Sequence, residues 1–220
     1  DKKKIDEEDI QTIISEVKEK KINGINVTVP FKKSVIPYLD ELSPEAEKTQ
    51  SVNTIILSNN NLIGHNTDIA GFAEAIKNLN FDIKGKKIFI LGAGGVVPSI
   101  IFALNKMGAS QILISNRTKG KAENLKIQFN NLKIVDWGKV KDFDIIINAT
   151  SLGLNKGQDF KINFKEPKKN LIYVDTIYNP FCLASAWSFT KTLSFTDKVT
   201  PSITRAACVP ALSNLPLDWS

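Results

Sequence analysis

Arginine is nearly absent from this 220-residue chain. Arg117 and Arg205 are the only two, against a lysine and arginine total of 29. The formal charge of +6 is therefore mostly lysine, spread over helix-like stretches such as residues 16–21 and 119–126, the pattern of a solvated face. Chains that grip phosphate backbones and bases carry arginine clusters interleaved with aromatics, so nucleic acid is not an expected partner. Histidine occurs once, at His65, and cysteine twice, at Cys182 and Cys208. Neither has metal-ligand spacing, so no metal site and no disulfide framework is expected. Long apolar runs are missing too: none reaches the roughly twenty residues that cross a bilayer. Asp1-Lys2-Lys3-Lys4 lacks the apolar core of a signal peptide. The expectation is a cytoplasmic chain with no membrane partner. Met107 is the sole methionine and position 1 is Asp, so the chain reads as a piece of something longer.

What is present is an ordinary globular composition, 42% hydrophobic and 24% charged, which suffices for one or two packed cores. Ile10, Ile13, Ile14 and Val17 recur at helical spacing over residues 9–20. Asn23-Gly24 then breaks the pattern before a short buried strand at Ile25–Val29. Residues 34–48 read as a second helix broken at Pro44. Val52–Leu57 and Leu62–Ile63 flank polar Ser58–Asn61 as a hairpin, and residues 69–79 form a third helix. From Lys86 the rhythm alternates: strand Lys87–Leu91, a glycine-rich turn, helix to Met107, strand Gln111–Ser115, helix Lys119–Asn130. Strands at Leu132–Val135, Asp144–Asn148 and Leu171–Asp175 follow. Continuous apolar strands alternating with helices indicate an α/β fold, a Rossmann-type doubly wound parallel sheet preceded by a smaller α/β domain. The boundary falls near residue 80. In the tail, residues 181–220, lysine nearly vanishes while Ser, Thr and Pro multiply, and no element is predicted.

Gly92-Ala93-Gly94-Gly95 lies between a predicted strand and a predicted helix. In that context glycines let the backbone turn tightly against a pyrophosphate, and the helix N-terminus receives its charge. The third fingerprint position is Val97, and Pro98 is tolerable in a first helical turn. NAD-type domains usually place an acid after the second strand to hold the ribose hydroxyls. This chain has Asn116-Arg117-Thr118 there, with Lys121 one turn later, which favours the 2′-phosphate of NADP. Asn148-Ala149-Thr150-Ser151-x-Gly153 follows another strand, where ligands of doubly wound sheets bind. In Asn26–Lys32 a strand delivers Thr28 and then, past Pro30, Lys32. Asn66-Thr67-Asp68 precedes the third helix. A cap and a surface lysine are the default assignments for these two. Meeting in a cleft, they would form a proton-handling pair suited to carbonyl reduction.

Taken together, Gly24–Lys32, Ser51-Val52-Asn53-Thr54, Asn66–Asp68 with Gly71-Phe72, the Gly92 turn, Asn116–Thr118, Asn148–Gly153 and Asp175–Pro180 resemble the shikimate dehydrogenase family in order and spacing. The resemblance covers roughly residues 9–180. It implies reversible NADPH-dependent reduction of 3-dehydroshikimate, with Lys32 and Asp68 catalytic. Thr28, Asn53 and Tyr178 would bind substrate. Gly92, Ala93, Gly94, Gly95, Val96, Asn116, Arg117, Thr118, Lys121 and Thr150 would bind NADP. It implies a substrate-binding domain over residues 1–80 that includes a linking helix at 69–80, an NADP domain over 81–180, an atypical tail over 181–220, and a monomer or homodimer. His65 takes no role. Family members begin with a serine-bearing strand and end with helices, one carrying a glutamine. Neither feature is found here, so the substrate domain is expected to be incomplete and the residues after Pro180 to be a foreign or frame-shifted end. Quinate/shikimate dehydrogenase is the alternative activity, and an NADP-binding chain without turnover is the alternative class.

Overall fold

The computed structural model describes residues 4–78, 81–139, 142–151, 172–176 and 205–208. Ile10, Ile14 and Val17 share one face, so helix α1 (Ile10–Lys18) buries all three against Val35, Ala46, Val52 and Ile55. The chain continues through β1 (Gly24–Asn26), β2 (Glu41–Leu42), α2 (Pro44–Thr49), β3 (Thr54–Ser58) and β4 (Asn61–His65). The sheet order is β1-β3-β4-β2, with β2 parallel to β4 and the other pairs antiparallel. The predicted hairpin is β3–β4. Its two linking residues, Asn59 and Asn60, take φ values of 49° and 65°, the left-handed pair that a two-residue hairpin turn requires and that Asn tolerates.

Two expectations for this sheet need correction. The strand expected to be buried at Ile25–Val29 stops at Asn26 and alternates between exposed and half-buried, because β1 occupies a sheet edge. Val29 is 64% exposed, and the following Pro30 has no N–H to extend a ladder. Residues 34–48 are not one helix. They form a single 3-10 turn at Ile36–Tyr38, then β2, then α2. Pro44 begins α2 instead of breaking a helix, since a first-turn residue has no intrahelical N–H bond to lose. Ser43 Oγ caps it by accepting from Ala46 N at 3.2 Å, a contact worth about 1 kcal/mol.

Helix α3 (Asp68–Asn78) leads into β5 (Lys87–Leu91), α4 (Val97–Lys106), β6 (Gln111–Ser115), α5 (Lys119–Gln128), β7 (Leu132–Ile134), β8 (Ile145–Asn148), β9 (Ile172–Asp175) and β10 (Arg205–Cys208). All the pairs are parallel, in the order β7-β6-β5-β8-β9-β10. The chain thus winds outward from β5 in one direction and then from β8 in the other, leaving a switch point between their carboxyl ends where doubly wound sheets bind ligands. Covered on both faces, β8 and β9 are buried throughout, which is why these strands read as unbroken apolar runs. Ile69, Phe72 and Ile76 of α3 belong to this second core rather than the first. β10 was not anticipated. It extends the sheet beside β9 with Cys208 opposite Asp175.

Candidate active site

Asp68 opens α3 directly after β4, and Lys32 follows the turn that leaves β1. The backbone fixes both. Phe31 N donates to Thr28 O at 2.9 Å, tightening the turn, and Val52 N donates to Lys32 O at 2.8 Å, tying it to the entry of β3. Lys32 Nζ meets Asp68 Oδ2 at 2.5 Å, with side-chain exposures of 14% and 7%. The two residues singled out in sequence therefore do meet. Asp68 Oδ1 accepts from Asn53 Nδ2 at 2.9 Å, so both carboxylate oxygens are engaged. Asn53 Nδ2 also donates to Thr67 Oγ1 at 2.9 Å, and its oxygen accepts from Thr67 N at 3.0 Å. An ammonium has three N–H bonds. Among the described residues Lys32 has Asp68 as its one side-chain partner, leaving donors for a substrate oxygen.

The glycine turn follows β5 at the switch point. Gly92 has φ +103°, and a Cβ there would lie 2.5 Å from Ala149 O, so only glycine fits. Gly92 N donates to Ser115 O at 2.8 Å, holding the turn against the end of β6. Gly94 and Gly95 are exposed and lead into the first turn of α4, where Val97 N donates to Gly94 O at 3.0 Å and Ile100 N to Val96 O at 3.1 Å, and Pro98 has no N–H. A glycine turn running into a helix N-terminus has the shape that can receive a pyrophosphate. After β6, Asn116 Nδ2 donates to Thr118 O at 2.8 Å, and Arg117, Thr118 and Lys121 are exposed. Neither cation forms an ion pair among the described residues. Donors, glycines and free positive charge thus fit a phosphorylated dinucleotide. Thr150 stands across the switch point, with its N and Oγ1 both bound to Asn148 Oδ1 at 3.1 and 2.8 Å.

The two halves of the site face each other. A Cβ on Gly95 would lie 3.8 Å from Val29 Cγ2, three residues before Lys32. Thr28 is exposed on the same turn. Tyr178 lies outside the described residues. Sequence reading missed two polar clusters behind the site. Asn66 Nδ2 donates to Thr49 Oγ1 and Ser99 Oγ at 3.0 and 2.9 Å. Buried Asp175 accepts from Asn148 Nδ2 and Tyr173 OH at 3.3 and 3.1 Å. A polar residue closing an otherwise apolar strand, as Asn148 and Asp175 do, was the available signal.

Comparison with known proteins accounts for both halves. Residues 1–55 match the model of the shikimate dehydrogenase substrate binding domain, and residues 73–180 that of shikimate / quinate 5-dehydrogenase. Shikimate dehydrogenase (NADP(+)) of Pelagibacter ubique is 49% identical over 82% of this chain and 68% of its own length. The crystal structure of shikimate dehydrogenase from Aquifex aeolicus superposes with a TM-score of 0.76 at 36% identity, covering 86% of this chain and 70% of that one. A shikimate dehydrogenase solved in complex with NADP+ gives a TM-score of 0.66 at 31% identity over 80% of this chain and 65% of its own. The chain spans about two thirds of the length of these curated relatives, 68% of the Pelagibacter ubique protein and 60% of that of Caldanaerobacter subterraneus. No helix among the described residues is long and apolar enough to cross a membrane. With NADP-dependent oxidoreductases as its relatives and both of their domains matched in register, the chain belongs to the shikimate dehydrogenase family.

Proposed function

We propose that this chain catalyses the reversible NADPH-dependent reduction of 3-dehydroshikimate to shikimate, as a cytoplasmic monomer or homodimer. The observation that carries this function is the Lys32–Asp68 pair, at 2.5 Å, beside a glycine turn shaped for a dinucleotide. Residues 1–80 serve as the substrate domain, with α3 (Asp68–Asn78) as the linking helix. Residues 81–180 serve as the NADP domain, and residues 181–220 follow, contributing β10 to its sheet.

Lys32 donates a proton to the C3 carbonyl oxygen of the substrate: the N–H bond breaks as the O–H bond forms. Asp68 fixes the ammonium and hydrogen-bonds the substrate. Tyr178 lines the cleft in which Thr28 and Asn53 hold substrate hydroxyls. Asn53 does so from a carboxamide already bound to Asp68 and Thr67, so it orients carboxylate and substrate together. Gly92, Ala93, Gly94, Gly95 and Val96 cradle the pyrophosphate, Thr150 edges the cofactor, and Asn116, Arg117, Thr118 and Lys121 hold the adenosine 2′-phosphate. NADPH, when bound, supplies the hydride. The protein contributes position, bringing two reactants into one oriented encounter.

NADP-dependent oxidation of shikimate, followed through NADPH absorbance and compared with quinate, tests this. Turnover of shikimate that Lys32→Ala abolishes is the expected result. Faster turnover of quinate would move the chain to the quinate/shikimate reading, an activity that the family matched by residues 73–180 also carries in its name. NADP binding without turnover of either substrate would leave a nucleotide-binding chain only.

A further inference from the structure

Asn66 sits between β4 and α3, 6% exposed. Its carboxamide is used on three sides. Oδ1 accepts from Asp68 N at 3.1 Å. Nδ2 donates to Ser99 Oγ at 2.9 Å and to Thr49 Oγ1 at 3.0 Å. A backbone N–H can only donate, so the oxygen must face Asp68 and the nitrogen is left to face the two hydroxyls. Those hydroxyls belong to different units. Thr49 closes α2 and is anchored by its own bond to Glu45 O at 2.7 Å. Ser99 is the third residue of α4, four positions beyond the glycine turn, and is fully buried. Thr49 and Ser99 are 1% and 0% exposed, so bulk solvent does not compete with Asn66 for them.

One side chain therefore spans the helix that begins the nucleotide cradle, the last turn of α2, and the backbone of the carboxylate that holds Lys32. We propose, building on the shikimate dehydrogenase activity, that Asn66 is a positioning residue that registers Asp68 to the cofactor-binding helix. It touches no reactant. It acts by fixing the first residue of α3 relative to the first turn of α4, so that a nucleotide seated on α4 meets Lys32 and Asp68 at working distance. A displacement near 1 Å between such groups costs up to about a hundredfold in rate.

The test is a double-mutant cycle on shikimate oxidation by the 220-residue chain. Asn66→Ala lowers kcat by about tenfold to about a hundredfold while the Kd for NADP, read by quenching of NADPH fluorescence, changes less than about threefold. In an Asp68→Asn background the same substitution has little further effect, because Asn66 acts through Asp68. Equal losses in both backgrounds would mean general packing and overturn the proposal. Should Asn66→Ala fail to fold, Ser99→Ala takes its place in the cycle, keeping the bond to Asp68 N and removing only the link to α4. A smaller loss that again needs Asp68 supports the registering role, and none at all overturns it. A parent chain inactive on shikimate would sink the activity and the coupling together, whereas an active parent with an unaffected Asn66→Ala sinks the coupling alone.

Discussion

Lys32 and Asp68, 36 positions apart, form the most buried ion pair among the described residues. An ion pair this sheltered gains little net stability, because desolvation offsets the attraction, so its presence points to chemistry. Lys32→Ala is expected to lower kcat for shikimate by about 10²- to 10⁴-fold, the usual contribution of a positioned acid, while NADP affinity stays within about threefold. Asp68→Asn keeps the shape and the acceptor for Asn53 but removes the charge, and should also fall mainly in kcat. Steady-state kinetics with a separate NADP titration check both. A wild-type kcat in Lys32→Ala would remove Lys32 from the reaction.

Gly92 and Gly120 make a matched pair of opposite sign. At Gly92 the φ is +103° and an added Cβ would sit 2.5 Å from Ala149 O. Gly92→Ala should destabilise by at least about 1–3 kcal/mol through backbone strain and the clash, and weaken NADP binding. At Gly120, in the first turn of α5, no atom beyond its own helix backbone and chain neighbours lies within 4 Å of the added Cβ. Gly120→Ala should therefore stabilise, by at most about 0.5–1 kcal/mol, the figure for a mid-helix glycine. Thermal melts of both variants decide. A Gly92→Ala chain as stable as the parent would mean that the turn relaxes away from Ala149.

Arg117 and Lys121 lie exposed beyond β6 without ion-pair partners among the described residues. A hydrogen bond to a charged group contributes about 1.5–3 kcal/mol. Arg117→Ala is accordingly expected to reduce kcat/KM for NADP by roughly tenfold to a hundredfold and to leave NAD nearly unchanged. Comparing the two cofactors at fixed shikimate gives the answer. Equal losses for both would assign Arg117 to the adenine ring, which the two share, rather than to the 2′-phosphate.

The parallel sheet was legible because its strands are buried on both faces. Lys87–Leu91 and Gln111–Ser115 are observed with their predicted bounds, and β8 comes within a residue of its own. Residues 25–49 were less legible. There the elements are two to six residues long, too short to show a period, and are held by bonds to distant chain such as Val52 N to Lys32 O. The four-residue β10 exists because β9 offers it a free edge, which no local pattern announces. In the site, the glycine turn was readable from its context, since strand, turn and helix are contiguous. The meeting of Lys32 with Asp68 entered through family resemblance, because contact across 36 positions is a property of the sheet. Asn66 looked like a simple cap, and capping is one of its three bonds. The two that cross to Thr49 and Ser99 depend on how the units pack.

Asp40 supplies a pH test independent of the active site. Its Oδ2 accepts from Leu62 N at 2.7 Å and from Lys18 Nζ at 2.6 Å, and Lys18 also donates to Asn60 O at 2.7 Å. This one carboxylate thus ties the end of α1 to the β3–β4 hairpin. The backbone bond from Leu62 first, and then Lys18, hold its pKa below the ordinary 3.8. A carboxyl depressed in the folded state adds stability that is fully present above its unfolded pKa and is lost as pH falls through the lower folded value. Asp40→Asn should therefore lower Tm near neutral pH, and the gap to the parent should shrink once the pH drops below 3.8. Because the pair is solvated, added salt should reduce the Lys18 share of the effect but not the Leu62 share. Melting curves for both proteins from neutral to acid pH settle the matter: a constant Tm gap across that range would show that the carboxylate charge contributes nothing, and coincident Tm values would show in addition that an amide oxygen serves Leu62 N equally well.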